Sequence, residues 1–210
     1  MNTPWIDVSV YLSSELPTWP GDPVLKISKA HDINKGAVAN VSELSLSAHT
    51  GTHMDSPYHF INSGLTMNDW QPDFTIGKVK VFEVRNKEFI TAAELKSFDI
   101  KEKDRVLFKT FNSSYKWFTK PFNANFVCFS EDGAAYLAEK KVKTVGIDYL
   151  SVGGMSNGIE VHNHLLNASI WIVEGLYLDQ ISEGLYDMIC MPIKIKDADG
   201  APCRVLLKAL

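Results

Sequence analysis

One eleven-residue stretch holds three of the chain's six histidines: His49-Thr50-Gly51-Thr52-His53-Met54-Asp55-Ser56-Pro57-Tyr58-His59. It also holds a carboxylate, Asp55. The residues between these groups include glycine, threonine, serine and proline, which interrupt regular helices and favour turns and extended chain. The stretch therefore predicts a polar, non-helical segment around which the rest of the fold must be arranged.

The four ionisable groups of this stretch all occupy odd positions: His49, His53, Asp55 and His59. In an extended chain, side chains of one parity point to one side. An extended segment therefore brings the four together, whereas a helix would turn Asp55 away from the histidines. The preceding residues 42–48 alternate apolar and polar side chains, which predicts a strand that carries the cluster at its end.

Imidazoles and a carboxylate supply the nitrogen and oxygen donors that a borderline divalent metal binds at about 2.0–2.2 Å. The types and spacing of His49, His53 and Asp55 therefore predict a metal site. Gly51 removes a side chain between two of these residues, where another group can approach closely. The alternative is a solvent-facing loop that is rich in histidine by chance, but the shared parity favours the metal site.

A second patch of candidate ligands lies after residue 160. Glu174 directly follows the nearly continuous apolar run 168–173, which is typical of a strand buried on both faces. A carboxylate that continues such a strand is costly to bury unless it is paired or binds metal. We predict that Glu174 is a ligand, together with His162 or His164. Two alternatives stay open: Glu174 is solvated beyond the strand, and His164 is an ordinary surface or core histidine.

The composition of the 210-residue chain excludes several classes of protein. Hydrophobic residues make up 45% and charged residues 22%, which is typical of globular domains and not of disordered chains. The net charge is −4 and there is no basic run, so neither nucleic acid nor an anionic membrane is an expected partner. The longest apolar runs are too short to span a bilayer. We expect a small-molecule substrate instead.

The N-terminus and the cysteines predict a cytoplasmic location. The first residues lack the charged segment followed by an apolar one that marks a secretory signal. Cys128, Cys190 and Cys203 are odd in number and scattered along the chain. This pattern is typical of buried thiols in a reducing compartment.

The remaining patterns predict one α/β or α+β domain over residues 1–210, with more strand than helix. Thr91 with Glu94 forms a capping box ahead of a short helix over 92–97. Ser130, followed by two acidic residues, predicts a helix that ends near residue 141, and the apolar segment 143–147 follows as a strand. Alternating or β-branched runs predict further strands at 5–10, 24–28, 44–48, 79–84, 106–110, 169–173, 188–195 and 204–208.

Other segments carry weaker signals. Trp19 lies in the proline-rich turn segment 17–23, where it either lines a pocket for a flat ligand or simply packs. The glycine-rich segment 153–158 lacks the spacing of a dinucleotide-binding loop and no capped helix is evident after it, so it predicts a plain loop. The sequence contains neither a Gly-x-Ser-x-Gly elbow nor a P-loop, so serine-hydrolase and nucleoside-triphosphatase chemistry lack their motifs.

The eleven-residue stretch matches the signature His-x-Gly-Thr-His-x-Asp-x-Pro-x-His. By this motif the chain resembles the metal-dependent cyclase family, which includes bacterial kynurenine formamidase and isatin hydrolase. The likeness continues through segments 19–23, 145–148, 162–166, 174–176 and 199–204. It implies a single α/β domain with a mixed, barrel-like β-sheet core and flanking helices.

The resemblance also implies roles for the candidate residues. His59 would be the catalytic acid and base. Family members use zinc or manganese and are usually homo-oligomers, so the resemblance implies zinc, or manganese in its place, and a dimer or tetramer. The implied metal site holds one or two ions and consists of His49, His53, Asp55, His162 and Glu174.

Together these features predict a metal-dependent hydrolase that cleaves the C–N bond of a small aromatic or cyclic amide, similar to an arylformamidase. A divalent metal lowers the pKa of bound water towards neutrality, and an imidazole such as His59 can transfer the proton there. Trp19 is the candidate substrate-binding residue. One alternative is a lactone or ester hydrolase with the same machinery. The other is a non-catalytic metal-binding module, against which His59 argues because binding needs ligands but no acid or base.

Overall fold

The core of the fold is a β-sheet that closes on itself. The computed structural model describes residues 4–210, and within them it contains twelve strands and four α-helices. The strands are β1 (Ile6–Asp7), β2 (Lys26–His31), β3 (Val41–Ser45), β4 (His53–Asp55), β5 (Ile76–Glu83), β6 (Phe89–Ile90), β7 (Arg105–Lys109), β8 (Cys128–Phe129), β9 (Thr144–Ile147), β10 (Trp171–Glu174), β11 (Gly184–Pro192) and β12 (Gly200–Ala209). The α-helices are α1 (Pro72–Thr75), α2 (Ala92–Leu95), α3 (Glu131–Lys140) and α4 (Gly158–Asn167).

Seven strands form the closed ring in the part of the chain that the structure describes. Their order is β12-β11-β5-β7-β9-β10-β4, and β4 pairs with β12 to complete the ring. Strands β5, β7, β9 and β10 run parallel to one another, whereas the pairings of β11, β12 and β4 are antiparallel. The structure thus confirms a mixed, barrel-like α/β fold.

The two faces of this sheet bury two hydrophobic clusters. Alternate side chains of one strand face opposite sides, so Leu107 joins one cluster while Val106 and Phe108 join the other. The cluster of Leu107 consists mainly of strand residues, and it fills the ring. The cluster of Phe108 contains Leu137 of α3 and Leu165 of α4, so these helices cover the outer face. Strands β7, β9 and β10 therefore have almost no exposed position.

The predicted helices form where their capping residues indicated. Thr91 accepts a hydrogen bond from the backbone of Glu94 at the start of α2, and Ser130 accepts one from Gly133 at the start of α3. Helix α2 ends at Leu95, two residues before the predicted end. Helix α4 was not predicted, because the glycine-rich segment 153–158 before it indicated a loop; the Asn157 side chain accepts from the Gly154 N–H and does not cap the helix. None of the helices within residues 4–210 is long and apolar enough to cross a membrane.

The segment before the histidine-rich stretch differs from the prediction. Strand β3 ends at Ser45 and pairs only with β2, in a separate hairpin whose strand residues are all exposed. A turn separates it from β4. The predicted strand over 42–48 therefore does not carry the cluster into the sheet. The alternation of polar and apolar residues there reflects a two-stranded arm, since periodicity is the same in a hairpin and in a barrel strand.

A close backbone crossing connects the end of β10 to the histidine-rich stretch. Gly175 follows β10 with a positive φ of 71°. Its N–H donates to the carbonyl of Tyr149 at 2.7 Å, and its own carbonyl accepts from the Thr52 hydroxyl at 2.6 Å. A Cβ atom on Gly175 would lie 2.1 Å from the Gly51 carbonyl oxygen. Only glycine fits here, both in conformation and in space.

We expect Gly175→Ala to destabilise the protein more than Gly36→Ala. Gly36 also has a positive φ, of 89°, but a Cβ there meets no atom within 4 Å. The free energy of unfolding of the control variant should therefore fall by only about 1–2 kcal/mol, the cost of placing alanine in the left-handed conformation. Overpacking should add about 1–3 kcal/mol at Gly175. Urea unfolding followed by circular dichroism measures the free energy of unfolding of both variants. Equal losses of stability would contradict the importance of the crossing.

Candidate metal centre

The sheet register brings three of the candidate ligands together. Strand β4 lies between β10 and β12 and is three residues long. Glu174 of β10 stands directly opposite His53, and Ile172 stands opposite Asp55. Because His53 and Asp55 have the same parity, their side chains extend from the same side of β4. The ring therefore presents an imidazole and two carboxylates at one place in its wall.

The other residues of the stretch reach the cluster by a different route from the one predicted. Only residues 53–55 form a strand; His49 lies in a turn, and His59 ends a short 3₁₀ helix over Pro57–His59. The interpretation of the whole stretch as extended is therefore wrong. The four groups still converge, because the turn and the 3₁₀ helix fold both ends of the stretch back over β4. The His49 and His59 rings stack with their centroids 3.9 Å apart.

The imidazole of His53 points between the two carboxylates. Its Nε2 lies 3.2 Å from Glu174 Oε2 and 3.4 Å from Asp55 Oδ1. Its Nδ1 donates to the Gly51 carbonyl at 2.9 Å, since a carbonyl can only accept. Nε2 is thereby left unprotonated in the neutral ring and free to bind a cation. Glu174 is held in turn by the Val152 N–H, which donates to Oε1 at 2.6 Å.

Asp55 belongs to two sets of possible ligands. It forms one set with His53 and Glu174 and another with His49 and His59, and within each set the ligand atoms lie within 4.8 Å of one another. In the second set, His49 Nδ1 lies 2.8 Å from Asp55 Oδ1. A carboxylate has two oxygens and can contact two ions, so this geometry suits one ion or two.

Helix α4 contributes a further imidazole. His162 Nδ1 donates to the Gly158 carbonyl at 2.6 Å, and its Nε2 lies 3.5 Å from Glu174 Oε1 and 3.8 Å from Asp55 Oδ2. His164 instead lies at the surface, 3.5 Å from Glu131, so of the two histidines only His162 faces the cluster. Glu174 is 3% exposed, which excludes the alternative of a solvated carboxylate beyond the strand.

Two buried atoms of the cluster lack hydrogen-bond partners among the described residues: His53 Nε2 and Asp55 Oδ2. Nearly all buried polar atoms in folded proteins are hydrogen-bonded, and leaving one unpaired costs about 1–3 kcal/mol. Both atoms carry lone pairs of the type that zinc and similar divalent metals bind. The residues present therefore fit a divalent metal.

Burial and charge shift the pKa values of the cluster in opposite directions. Burial disfavours the charged imidazoles, but the carboxylates of Asp55 and Glu174 raise the pKa of His53 to about 9. Asp55 and Asp199 raise the pKa of His49 to about 10 against the same effect of burial. Conversely, burial would raise the pKa of Asp55, but the neighbouring His49 and His59 hold it well below its usual value. A divalent cation would take the place of these protons, so metal binding releases them.

A cavity of about 480 Å³ opens above the cluster. Phe60 forms part of its wall and stacks on His162 with ring centroids 4.4 Å apart. Trp19 also lines it, while its ring packs edge-on against Phe122. The Trp19 ring thus both lines the cavity and packs against another ring, and its contact with a flat ligand stays a prediction. The described residues that line the cavity include no lysine or arginine.

Sequence analysis missed three features of the site. Phe60 directly follows the histidine-rich stretch, and an aromatic residue beside the last histidine was the available signal. The glycine-rich loop before α4, treated as a plain loop, provides Gly154 and Met155 to the wall. Asp199 contacts His49 through a 2.8 Å hydrogen bond, yet the sequence drew attention to it only through the resemblance.

Comparison with known proteins identifies the family and supports the fold. The Cyclase family matches residues 6–153. Kynurenine formamidases of Bacillus cereus and Bacillus anthracis are 33% and 32% identical over 207 residues, with 98% of each chain covered.

Solved structures are similar over the whole chain. One described as a predicted metal-dependent hydrolase from Bacillus stearothermophilus has a TM-score of 0.87 at 32% identity, and 99% of this chain and 98% of the other are covered. Isatin hydrolase A from Ralstonia solanacearum has a TM-score of 0.84 at 21% identity, and 99% of this chain and 92% of the other are covered. The second likeness establishes the fold alone.

The closed barrel with its buried histidine and carboxylate cluster, together with the kynurenine formamidase relatives, defines a hydrolase of the amidohydrolase class. More particularly, the chain belongs to the Cyclase family.

We expect His53→Ala to lose bound metal, because it removes the nitrogen that lies 3.2 Å from Glu174 and 3.4 Å from Asp55. Metal content after dialysis, measured by elemental analysis, should fall well below that of the unaltered protein. His164→Ala is the matched control, since His164 pairs with Glu131 at the surface, and it should keep its metal. Full metal occupancy in His53→Ala would show that the ligand assignment is wrong.

Proposed function

We propose that the protein hydrolyses the C–N bond of a small aromatic or cyclic amide with the help of a divalent metal. The observation that carries this proposal is the pair of unpartnered buried atoms, His53 Nε2 and Asp55 Oδ2, beneath an aromatic-walled cavity. The relatives named kynurenine formamidase and isatin hydrolase support it, since formamides and isatin are an open and a cyclic amide.

Five side chains would hold the metal, and their donors suit zinc, or manganese in its place. Because Asp55 belongs to both ligand sets, it would be shared if two ions bind. When bound, the metal supplies Lewis acidity that activates water and polarises the amide carbonyl. The proposed ligands are His49, His53, Asp55, His162 and Glu174.

His59 is the proposed acid and base. Its side chain is 27% exposed and lines the cavity, so water and substrate can reach it. It stacks on His49, which places its ring beside the metal ligands. The ring would take a proton from the attacking water and return it to the leaving nitrogen, as an imidazole can near neutral pH.

The cavity favours a flat, compact substrate. Trp19 and Phe60 offer ring faces or edges at its wall, and both rings are fixed by neighbouring aromatic groups, Phe122 and His162 respectively. A ring that is already ordered loses little entropy when it stacks on a ligand. Because no lysine or arginine lines the described cavity, it has no cationic clamp for a polyanionic substrate.

We further propose a cytoplasmic homo-oligomer, either a dimer or a tetramer. Each of the three cysteines is a free thiol, as expected in a reducing compartment.

The hairpin of β2 and β3 exposes every residue of both strands, and an isolated two-stranded hairpin is only marginally stable in water. A second copy of the chain would provide the missing cover.

The proposed function is tested by hydrolysis of a panel that contains N-formylkynurenine, isatin, an aryl ester, a lactone and an aliphatic amide. The metal-loaded protein should hydrolyse an aromatic or cyclic amide fastest. Preference for the ester or lactone would assign the same site to the alternative reaction. A protein that binds metal but hydrolyses none of the panel would contradict the proposal.

We expect His59→Ala to keep its metal and to lose about 10²–10⁴-fold in kcat, the usual contribution of a general acid or base. Elemental analysis and steady-state kinetics on the best amide of the panel provide the two measurements. If His59→Ala loses metal instead, His59 is a ligand of the set that includes His49 and Asp55. His164→Ala should change neither quantity.

We expect Trp19→Ala to lower kcat/KM more for N-formylkynurenine and isatin than for an aliphatic amide of similar size, because only a flat ring stacks on the indole. Trp5→Ala, which removes an exposed tryptophan that does not line the cavity, controls for the loss of an indole. An equal loss on all three substrates would remove the claim of an aromatic substrate and leave the metal hydrolase intact.

A further inference from the structure

Asp199 is a carboxylate at the metal centre that does not belong to the ligand sets. It directly precedes β12, whose first residue, Gly200, pairs with Asp55 of β4. The carbonyl of Asp199 accepts hydrogen bonds from both the N–H and the hydroxyl of Ser56, each at 2.9 Å. Its backbone is therefore tied to the histidine-rich stretch itself, on the side of β4 away from β10.

The carboxylate of Asp199 holds the outer nitrogen of His49. Asp199 Oδ2 lies 2.8 Å from His49 Nε2, while the other ring nitrogen, Nδ1, lies 2.8 Å from Asp55. The same oxygen is 3.6 Å from His59 Nδ1, which is beyond hydrogen-bond distance. His49 is therefore the direct partner of Asp199.

Gly200 leaves room for this arrangement. A Cβ atom at Gly200 would lie 2.7 Å from Cε1 of His49 and 3.2 Å from its Nδ1. The imidazole thus packs directly against backbone on one edge and is bound by a carboxylate at the other. The two consecutive residues, Asp199 and Gly200, define both the position and the rotation of one ring.

We propose that Asp199 is a positioning residue that fixes the tautomer and orientation of His49 for metal binding. The proposal rests on the metal centre proposed above. A ring whose Nε2–H donates to a carboxylate keeps its lone pair on Nδ1, the atom that faces Asp55. Metal-binding histidines commonly donate their outer N–H in this way, and loss of the outer partner typically costs about 10–100-fold in metal affinity.

The test measures metal affinity directly, without relying on activity. Metal-free protein is titrated with Co²⁺ against a chromophoric chelator, and the visible absorption of bound Co²⁺ reports its coordination. Asp199→Ala should weaken Co²⁺ binding about 10–100-fold and change the visible spectrum. Asp199→Asn keeps an oxygen acceptor without the charge, so its loss should be smaller, about threefold to tenfold, because neutral hydrogen bonds are weaker.

The matched control is Asp187→Ala. It also removes one negative charge from the sheet, but Asp187 lies opposite Lys208, at the other end of β12 from Gly200. It should bind Co²⁺ as the unaltered protein does. Circular dichroism of each metal-free variant shows whether it is folded. If Asp199→Ala is not folded, the result for Asp199→Asn decides the question.

The positioning role would be overturned if folded Asp199→Ala bound Co²⁺ as tightly as the unaltered protein. If only Asp199→Asn folds, the same result in that variant would overturn it. In both cases the metal centre would stand. Failure of the unaltered protein to bind Co²⁺ would instead overturn the metal centre, and with it the role of Asp199. An equal loss in Asp187→Ala would mean that net charge, and not the contact with His49, governs affinity.

Discussion

Burial of two carboxylates in the barrel wall is the constraint on which the rest of the structure depends. Closure of the ring requires β4, and β4 brings Asp55 between β10 and β12, where it meets Glu174. Two buried negative charges are very costly unless cations compensate them. Protonated imidazoles around them provide this compensation when metal is absent, and a bound divalent cation would provide it in their place. The strand that closes the barrel is thus also the one that carries the chemistry.

The imidazoles around these carboxylates are held by one recurring device. The outer nitrogen of His53 donates to the Gly51 carbonyl, that of His162 to the Gly158 carbonyl, and that of His49 contacts a carboxylate. Each contact fixes a ring and directs its other nitrogen towards the cluster. The supporting groups come from a turn, a helix and the start of a strand, so the centre is preorganised by elements far apart in the chain.

The cavity combines rigid and polar surfaces in a way that suits hydrolysis of an amide. Its floor includes histidine and glutamate side chains of the proposed metal site, and its walls include aromatic rings that are themselves packed against other rings. A preorganised site need not rearrange during reaction, which is the main electrostatic advantage of an enzyme over water. The close crossing of Gly175 over Gly51 anchors the floor to the end of β10.

The sequence alone determined features that depend on near neighbours in the chain. The caps of α2 and α3 could be predicted because a capping side chain bonds to a backbone three residues away, and Glu174 could be singled out because its apolar run is local. Which strands pair was decided only by the tertiary structure, because β4 meets β10 and β12 across more than a hundred residues. Asp199 and His49 are likewise 150 residues apart, and helix α4 was not predicted because the glycine-rich segment before it indicated a loop. Local patterns specify which groups are available, whereas long-range packing selects which of them meet.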